Sequence, residues 1–218
     1  VYGCLNLRAV FSPGDGILLI EGAMSNDSYL FCRDARLTGG FAFYSWFKGE
    51  YAGDFVLSVG GYHPQFQRGH YPAVDRVGLN WKISDHLELI GEAYFALTPN
   101  CLMAGGKLEL NYHTGKLAAW CHAYADFLIQ GKPFHYDISI GVSVGASYRL
   151  DLLFIHKTFK IELGADLHLW GPEFSGTAHI KWFIISFTIK FNSGSQNQPP
   201  RLNWKQFYTE FLPDFGGG

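Results

Sequence analysis

The stretch FHYDISIGVSVGASYRL, Phe134 to Leu150, decides the fold. Its even positions carry Phe, Tyr, Ile, Ile, Val, Val, Ala, Tyr and Leu, while its odd positions from His135 to Arg149 are polar or Gly. Side chains of a strand alternate between faces with a period of two, so this is one long strand with an apolar and a polar face. One strand cannot bury such a face alone, and its neighbours must continue it.

The flanking sequence supplies those neighbours. Downstream, Phe159, Ile161, Leu163, Ala165, Leu167 and Leu169 keep the same alternation. Upstream, apolar residues alternate over 117–129, 102–112, 87–97 and 76–83. Turn clusters at Gly171-Pro172, Gly131-Lys132-Pro133, His113-Thr114-Gly115, Thr98-Pro99-Asn100 and Ser84-Asp85 separate the runs. Thr177 to Phe191 reads as a last strand or pair of strands, with a phase break at Phe183 to Ile185 that suggests a bulge. Nearer the start, 54–62 reads as a strand and Leu37 to Lys48 as a single strand bent at Gly39-Gly40. Residues 1–33 hold two or three more strands. The expectation is an all-β fold, an antiparallel meander of about 10–12 long strands forming a large sheet, sandwich or barrel.

This domain is expected to occupy residues 1–191, followed by a tail over 192–218. Asn192 to Arg201 is a polar linker without pattern. Trp204, Phe207, Tyr208, Phe211 and Leu212 then recur at three and four residues, the spacing of a short amphipathic helix, which Pro213 ends.

Composition agrees with strands. The chain has 218 residues, 48% of them hydrophobic and 17% aromatic, with 26 Gly. That is enough apolar material for a sizeable core, and it favours strands and tight turns over helices. A formal net charge of -2 gives nucleic-acid binding no electrostatic support. The longest apolar stretch, Trp182 to Phe191, is too short for a membrane helix and is broken by Ser186, Thr188 and Lys190. The chain begins at Val1 with no leader pattern, the expectation for a mature product or a piece of a longer polypeptide. An extracellular or cell-surface setting is the expectation for the compartment, though no motif fixes it.

Four cysteines are present. A tight hairpin centred near Thr114 places Cys121 opposite Lys107, which leaves Cys101 about six residues, or about 20 Å, out of reach. A Cys4–Cys32 disulfide stays open, beside the expectation of free buried thiols. Asn26-Asp27-Ser28 matches the glycosylation triplet and makes Asn26 a candidate acceptor in a secreted chain.

Several phrases are distinctive: GDFVLSVGGYHPQF (53–66), RVGLNW (76–81), GEAYFALTPNCLMAGG (91–106), LAAWCHAYADFLIQGKPFHYDISIGVSVG (117–145) and the closing RLNWKQFY. Together they resemble, over roughly residues 50–212, a family of uncharacterised domains near the C-terminal end of long β-rich bacterial and fungal proteins. The resemblance implies no catalytic residue, cofactor or substrate. It implies that the chain is one segment of a longer polypeptide.

Chemical signatures are weak. Gly141-Val142-Ser143-Val144-Gly145 has the G-x-S-x-G pattern of serine hydrolases, but that motif works as a strand-to-helix elbow, and here it sits inside an alternating strand. The polar strand positions carry Glu88, Glu92, Lys107, Glu109, His122, Asp126, His135, Asp137, Lys160, Glu162, Asp166 and His168. Their mixed signs fit a solvated sheet face, with a polar lumen or a catalytic cluster as the alternatives. No zinc spacing, phosphate loop or dinucleotide fingerprint occurs, and no metal or cofactor is implied. The segment from His63 to Asp75 is the longest irregular one. Its Tyr62, His63, Phe66, Arg68, His70 and Tyr71 are the candidate ligand-binding residues, against the simpler reading of a loop that caps the sheet.

The functional expectation is a non-enzymatic structural or interaction module. It would self-associate as a homo-oligomer or polymer, a filament, ring or shell, or serve as a segment of a larger β-rich assembly. Trp204, Phe207, Tyr208 and Phe211 are candidate assembly contacts. Two alternatives stand beside it: a β-barrel binding an apolar ligand or glycan, and a membrane β-barrel. No nucleic-acid partner is expected, and a membrane is the less favoured partner.

Overall fold

The computed structural model describes residues 1–192, apart from residue 153 and the side chains at 152 and 155. Among these residues the chain forms thirteen strands and no helix. They are β1 (Leu5–Ser12), β2 (Ile17–Met24), β3 (Ala35–Thr38), β4 (Gly40–Trp46), β5 (Phe55–Val59), β6 (Val77–Lys82) and β7 (Leu87–Leu97). Then follow β8 (Cys101–Thr114), β9 (Leu117–Gln130), β10 (His135–Leu152), β11 (Ile155–Gly171), β12 (Ser175–Trp182) and β13 (Ile185–Phe191). The quoted stretch lies in β10, the longest strand at 18 residues. The amphipathic tail and its contacts Trp204, Phe207, Tyr208 and Phe211 lie outside the described residues.

All thirteen strands form one antiparallel sheet, whose main path of eleven runs β1-β2-β4-β5-β7-β8-β9-β10-β11-β12-β13, with β3 and β6 on a side branch. It is an open single layer: β1 and β13 stand at opposite ends of the path, with no second layer and no closure among the described residues. The sheet forks at β7. The first part of β7 pairs with β6, Val77 opposite Ala93, and its last residues pair with β5, Leu57 opposite Leu97. Beyond β6 lies β3, and beyond β5 lie β4, β2 and β1.

The fork revises the N-terminal expectation. Leu37 to Lys48 is not one bent strand. Gly39, at φ 135°, breaks it into β3 and β4, which pair with different strands. That φ is open to glycine and strained for other residues. Two further local readings change. Phe183 and Ile184 do not form a bulge. They are the turn of the β12–β13 hairpin, with Trp182 opposite Ile185 and Phe183 at φ 56°. The β8–β9 hairpin turns over Gly115 and Lys116, so Cys121 faces Leu110 rather than Lys107. Cys101 faces Gln130, and all four cysteines are free thiols. Only Cys101 is buried; Cys32 is half-buried, and Cys4 and Cys121 lie on exposed surface.

Register carries one apolar face across the whole sheet. Leu102, Ile129, Tyr136 and Gly171 stand in one row, and Leu110, Cys121, Val144, Leu163 and Trp182 in another. This face is exposed, not buried: Ile140, Val142, Val144, Ile161 and Leu108 are all open to solvent. The buried cluster lies on the other face. Tyr94, Ala96, Cys101, Met103 and Leu128 form it, with Tyr62 and Phe66 packed against them. The reason is topological. β5 and β6 lie end to end along β7, so residues 60–76 leave the sheet at the fork and cross its polar face before returning.

Candidate functional site

Among the described residues, the crossing segment, 60–76, is the irregular segment that packs on the polar face. It leaves β5 through Gly60 and Gly61, at φ 73° and 88°. A Cβ at Gly61 would meet the Val74 carbonyl oxygen at 2.9 Å, so glycine lets the two ends of the segment approach. Arg76 clamps the segment. Its Nη1 donates to the Gly60 carbonyl at 3.0 Å and its Nη2 to the Tyr62 carbonyl at 2.6 Å. Its guanidinium lies 3.8 Å above the Tyr94 ring, which ties the segment to the buried cluster.

The candidate residues do not share one pocket. Tyr62, Phe66, Tyr71 and His70 form a continuous run of stacked or tilted rings that ends against Tyr51 and Trp46. Asp54 anchors this run: the Tyr71 hydroxyl donates to its carboxylate at 3.0 Å, and His70 Nε2 lies 2.8 Å from Oδ2 without hydrogen-bond alignment. Burial, reinforced by Asp54, drives the Tyr71 hydroxyl well above the usual phenol range, and burial pushes Tyr62 up to about 12. Arg68 is exposed and outside the stack.

His63 points elsewhere. It is buried, and its Nδ1 accepts the Gln65 backbone N–H at 3.2 Å. Its Nε2 lies 3.9 Å from Asp137 Oδ1, and the other Asp137 oxygen is 2.8 Å from His168 Nε2. Burial lowers the His63 pKa, opposed mainly by Asp137. With Nδ1 accepting, the neutral ring carries its proton on Nε2, facing Asp137.

Beside the segment lies an open trough of about 300 Å³. Pro64 and Arg76 form one wall, and Glu92, Lys107, Tyr94, His122, Tyr124 and Asp126 line the floor. The polar positions expected on one face are indeed there, and they engage one another. Lys107 bridges Glu92 at 3.2 Å and Glu109 at 3.5 Å. His122 bonds Asn111 at 3.0 Å, and the Tyr94 hydroxyl donates to Asp126 at 2.7 Å. Further along, Lys160 and Lys181 hold the Glu162 carboxyl down to about 2. No group of three or more His, Cys, Asp or Glu able to hold a metal ion occurs among the described residues.

Gly141 to Gly145 runs inside β10, with Ser143 opposite Gly164, and forms no elbow. Asn26 is exposed on a turn, but Ser28 of its triplet is buried, its hydroxyl donating to the Cys4 carbonyl and accepting from the Cys4 N–H.

Among the described residues, fold and site together define a single-layer, open antiparallel β sheet whose polar face is strapped by an aromatic segment. The chain belongs to a family of unknown function, DUF6603, whose model matches residues 1–216. The resemblance to an uncharacterised domain therefore holds, and it reaches beyond residues 50–212 to almost the whole chain. No curated protein and no solved structure matches it.

Proposed function

We propose that this chain is a non-enzymatic structural module that joins other β structure through its sheet edges. Its partners are further copies of itself, or flanking segments of the long β-rich polypeptide that the sequence resemblance implies. The observation that carries this reading is the open sheet. Each of β1 and β13 has one side unpaired among the described residues, and such edges present free N–H and C=O groups to another strand. Neither edge is guarded by proline, and each carries a single charged residue, Arg8 or Lys190. The polar groups around the trough are satisfied by one another, which supports a structural rather than a catalytic role for that face.

Direction favours pairing between like edges. Eleven strands on the path make ten antiparallel steps, so β1 and β13 run the same way. Copies stacked head to tail would pair these two in parallel, whereas β1 meeting β1 across a two-fold axis pairs antiparallel, the somewhat stronger arrangement. Sedimentation and negative-stain microscopy of the chain without detergent test this. We expect assemblies larger than one chain. The double variant Asn6→Lys, Val10→Lys places three cations on the polar side of β1 and should reduce them, because like charges across a strand pair repel. Assemblies unchanged by this variant, or none at all, would overturn the reading.

A further inference from the structure

A different surface, the apolar face, is left without cover among the described residues. On β8, β9 and β10 its rows run Leu102 to Tyr112, Leu117 to Ile129 and Tyr136 to Leu150, and none of these positions is Asp, Glu, Lys or Arg. Ile140, Val142 and Val144 at its centre are 42%, 46% and 48% exposed. With roughly 60–100 Å² open on each large side chain, the rows from β8 to β13 present on the order of 1,000 Å² of apolar surface. Monomeric proteins rarely expose a patch beyond about 300–600 Å², and one partner in a standard interface contributes about 800 Å².

The relief of this face is self-complementary. The row on β9 is shallow, with Ala119, Cys121, Ala123 and Ala125. The adjoining row on β10 is tall and β-branched, and Ala125 pairs with Ile140, Ala123 with Val142 and Cys121 with Val144. A two-fold axis lying along the strands, between β9 and β10, sets the ridge of each copy over the valley of the other. Two such sheets then pack about 10 Å apart, as the layers of a sandwich do. The absence of charge on both central rows removes like-charge repulsion from this arrangement. A bilayer fits less well: a spanning strand needs about 9–11 residues, and the apolar row on β10 continues from Tyr136 to Leu150.

We propose that the apolar face is a second contact surface, covered by the same face of another copy of this chain, ridge of β10 in valley of β9. Edge pairing widens the sheet, whereas this contact adds a second layer, and neither requires the other.

The test is analytical ultracentrifugation of the full chain without detergent, combined with peptide-resolved alkylation of Cys121 across a concentration series. We expect paired species, with Cys121 modified at least tenfold more slowly where pairs form. Val142→Glu should halve the assembled mass and restore the reaction. Ala123→Leu fills the valley while keeping the face apolar, so it should weaken pairing as well and covers the case in which V142E fails to fold. Asn6→Lys with Val10→Lys should leave the protection of Cys121 intact, which separates this contact from edge pairing. The proposal is overturned if Cys121 reacts at one rate at all concentrations, or if both face variants pair normally. It is equally overturned if Cys121 is already protected in monomers, which would assign the face to residues 193–218. Protection only on phosphatidylcholine vesicles would assign the face to lipid and overturn it too.

Discussion

Tyr94 and Asp126 stand two strands apart, and the Tyr94 hydroxyl reaches across Gly105 to donate a 2.7 Å hydrogen bond to Asp126 Oδ1. The three residues occupy one row, Tyr94 opposite Gly105 and Gly105 opposite Asp126. The arrangement repeats. Tyr124 crosses Gly141 to Asp166, with a 2.9 Å hydrogen bond. Trp120 lies over Gly145 in the row that ends at Glu162, where Lys160 sits 5.0 Å from its ring. In each case the missing Cβ of the middle residue lets an aromatic ring lie flat on the sheet. Three strands are thereby tied by side chains as well as by backbone ladders.

These rows predict a specific coupling. The nearest atoms to a Cβ built at Gly145 all belong to the Trp120 ring. Gly145→Ala should therefore destabilise the chain by about 1–3 kcal/mol through overpacking, and most of that cost should vanish in a Trp120→Ala background. Denaturant unfolding of the four members of the cycle measures the coupling. Gly105→Ala should behave differently, because its Cβ would meet the Ala125 carbonyl oxygen at 2.6 Å as well as the Tyr94 ring. Removing Tyr94 would leave that clash in place.

Arg76 should control the strapping segment. Arg76→Met leaves the Gly60 and Tyr62 carbonyls without their donor and removes the charge over Tyr94, a loss of about 2–4 kcal/mol for two charge-assisted hydrogen bonds. Lysine cannot serve both carbonyls with the same fork, so Arg76→Lys should restore only part of it. Limited trypsin digestion reports the result directly. Arg68 is exposed within the segment, and cleavage after it should accelerate severalfold in Arg76→Met.

Much of the ladder was legible in the sequence, because alternation over β7 to β11 depends only on local period. What was not legible depended on contacts distant in the chain. The same alternation implied a buried apolar face, yet burial falls on the opposite face, where Tyr94, Ala96, Met103 and Leu128 occupy positions in phase with polar residues. Their apolar character, concentrated at one end of β7 to β9, was the available signal. The fork at β7 left no mark except Gly39-Gly40, which reads equally as a bulge. The partners of the segment are Asp54, just before β5, and Asp137 on β10, which in turn holds His168 on β11; no sequence spacing connects Asp137 or His168 to it. The aromatic–Gly–acid rows depend on the true register, and a turn centred near Thr114 shifts that register, whereas the β8–β9 turn runs over Gly115 and Lys116.

The thiols should separate by environment. Burial pushes Cys101 up to about 11, opposed by a hydrogen bond from Thr98, whereas Cys4 is exposed. Only a thiolate attacks an alkylating reagent. At pH 8 Cys4 should therefore react with iodoacetamide at least 100-fold faster than Cys101. Mass spectrometry of tryptic peptides would show this, and comparable rates would mean that the end of the sheet around Thr98 to Cys101 opens readily.

His63 sets an acid limit on the fold. Burial lowers its pKa below the ordinary 6.5, with Asp137 and Asp126 opposing and Arg76 and His168 reinforcing the shift. The unfolded chain then binds a proton at a pH where the folded chain does not, so folding stability rises with pH across that window. The contribution is complete above about pH 7 and is lost as pH falls through 6.5 toward the lowered folded value, with a slope of at most about 1.4 kcal/mol per pH unit for one proton. His63→Gln keeps an acceptor for the Gln65 N–H but cannot titrate. Urea midpoints measured from pH 8 to pH 5 should fall more steeply for the parent chain than for His63→Gln. If the two slopes coincide, the acid sensitivity originates elsewhere, and the burial of His63 does not set it.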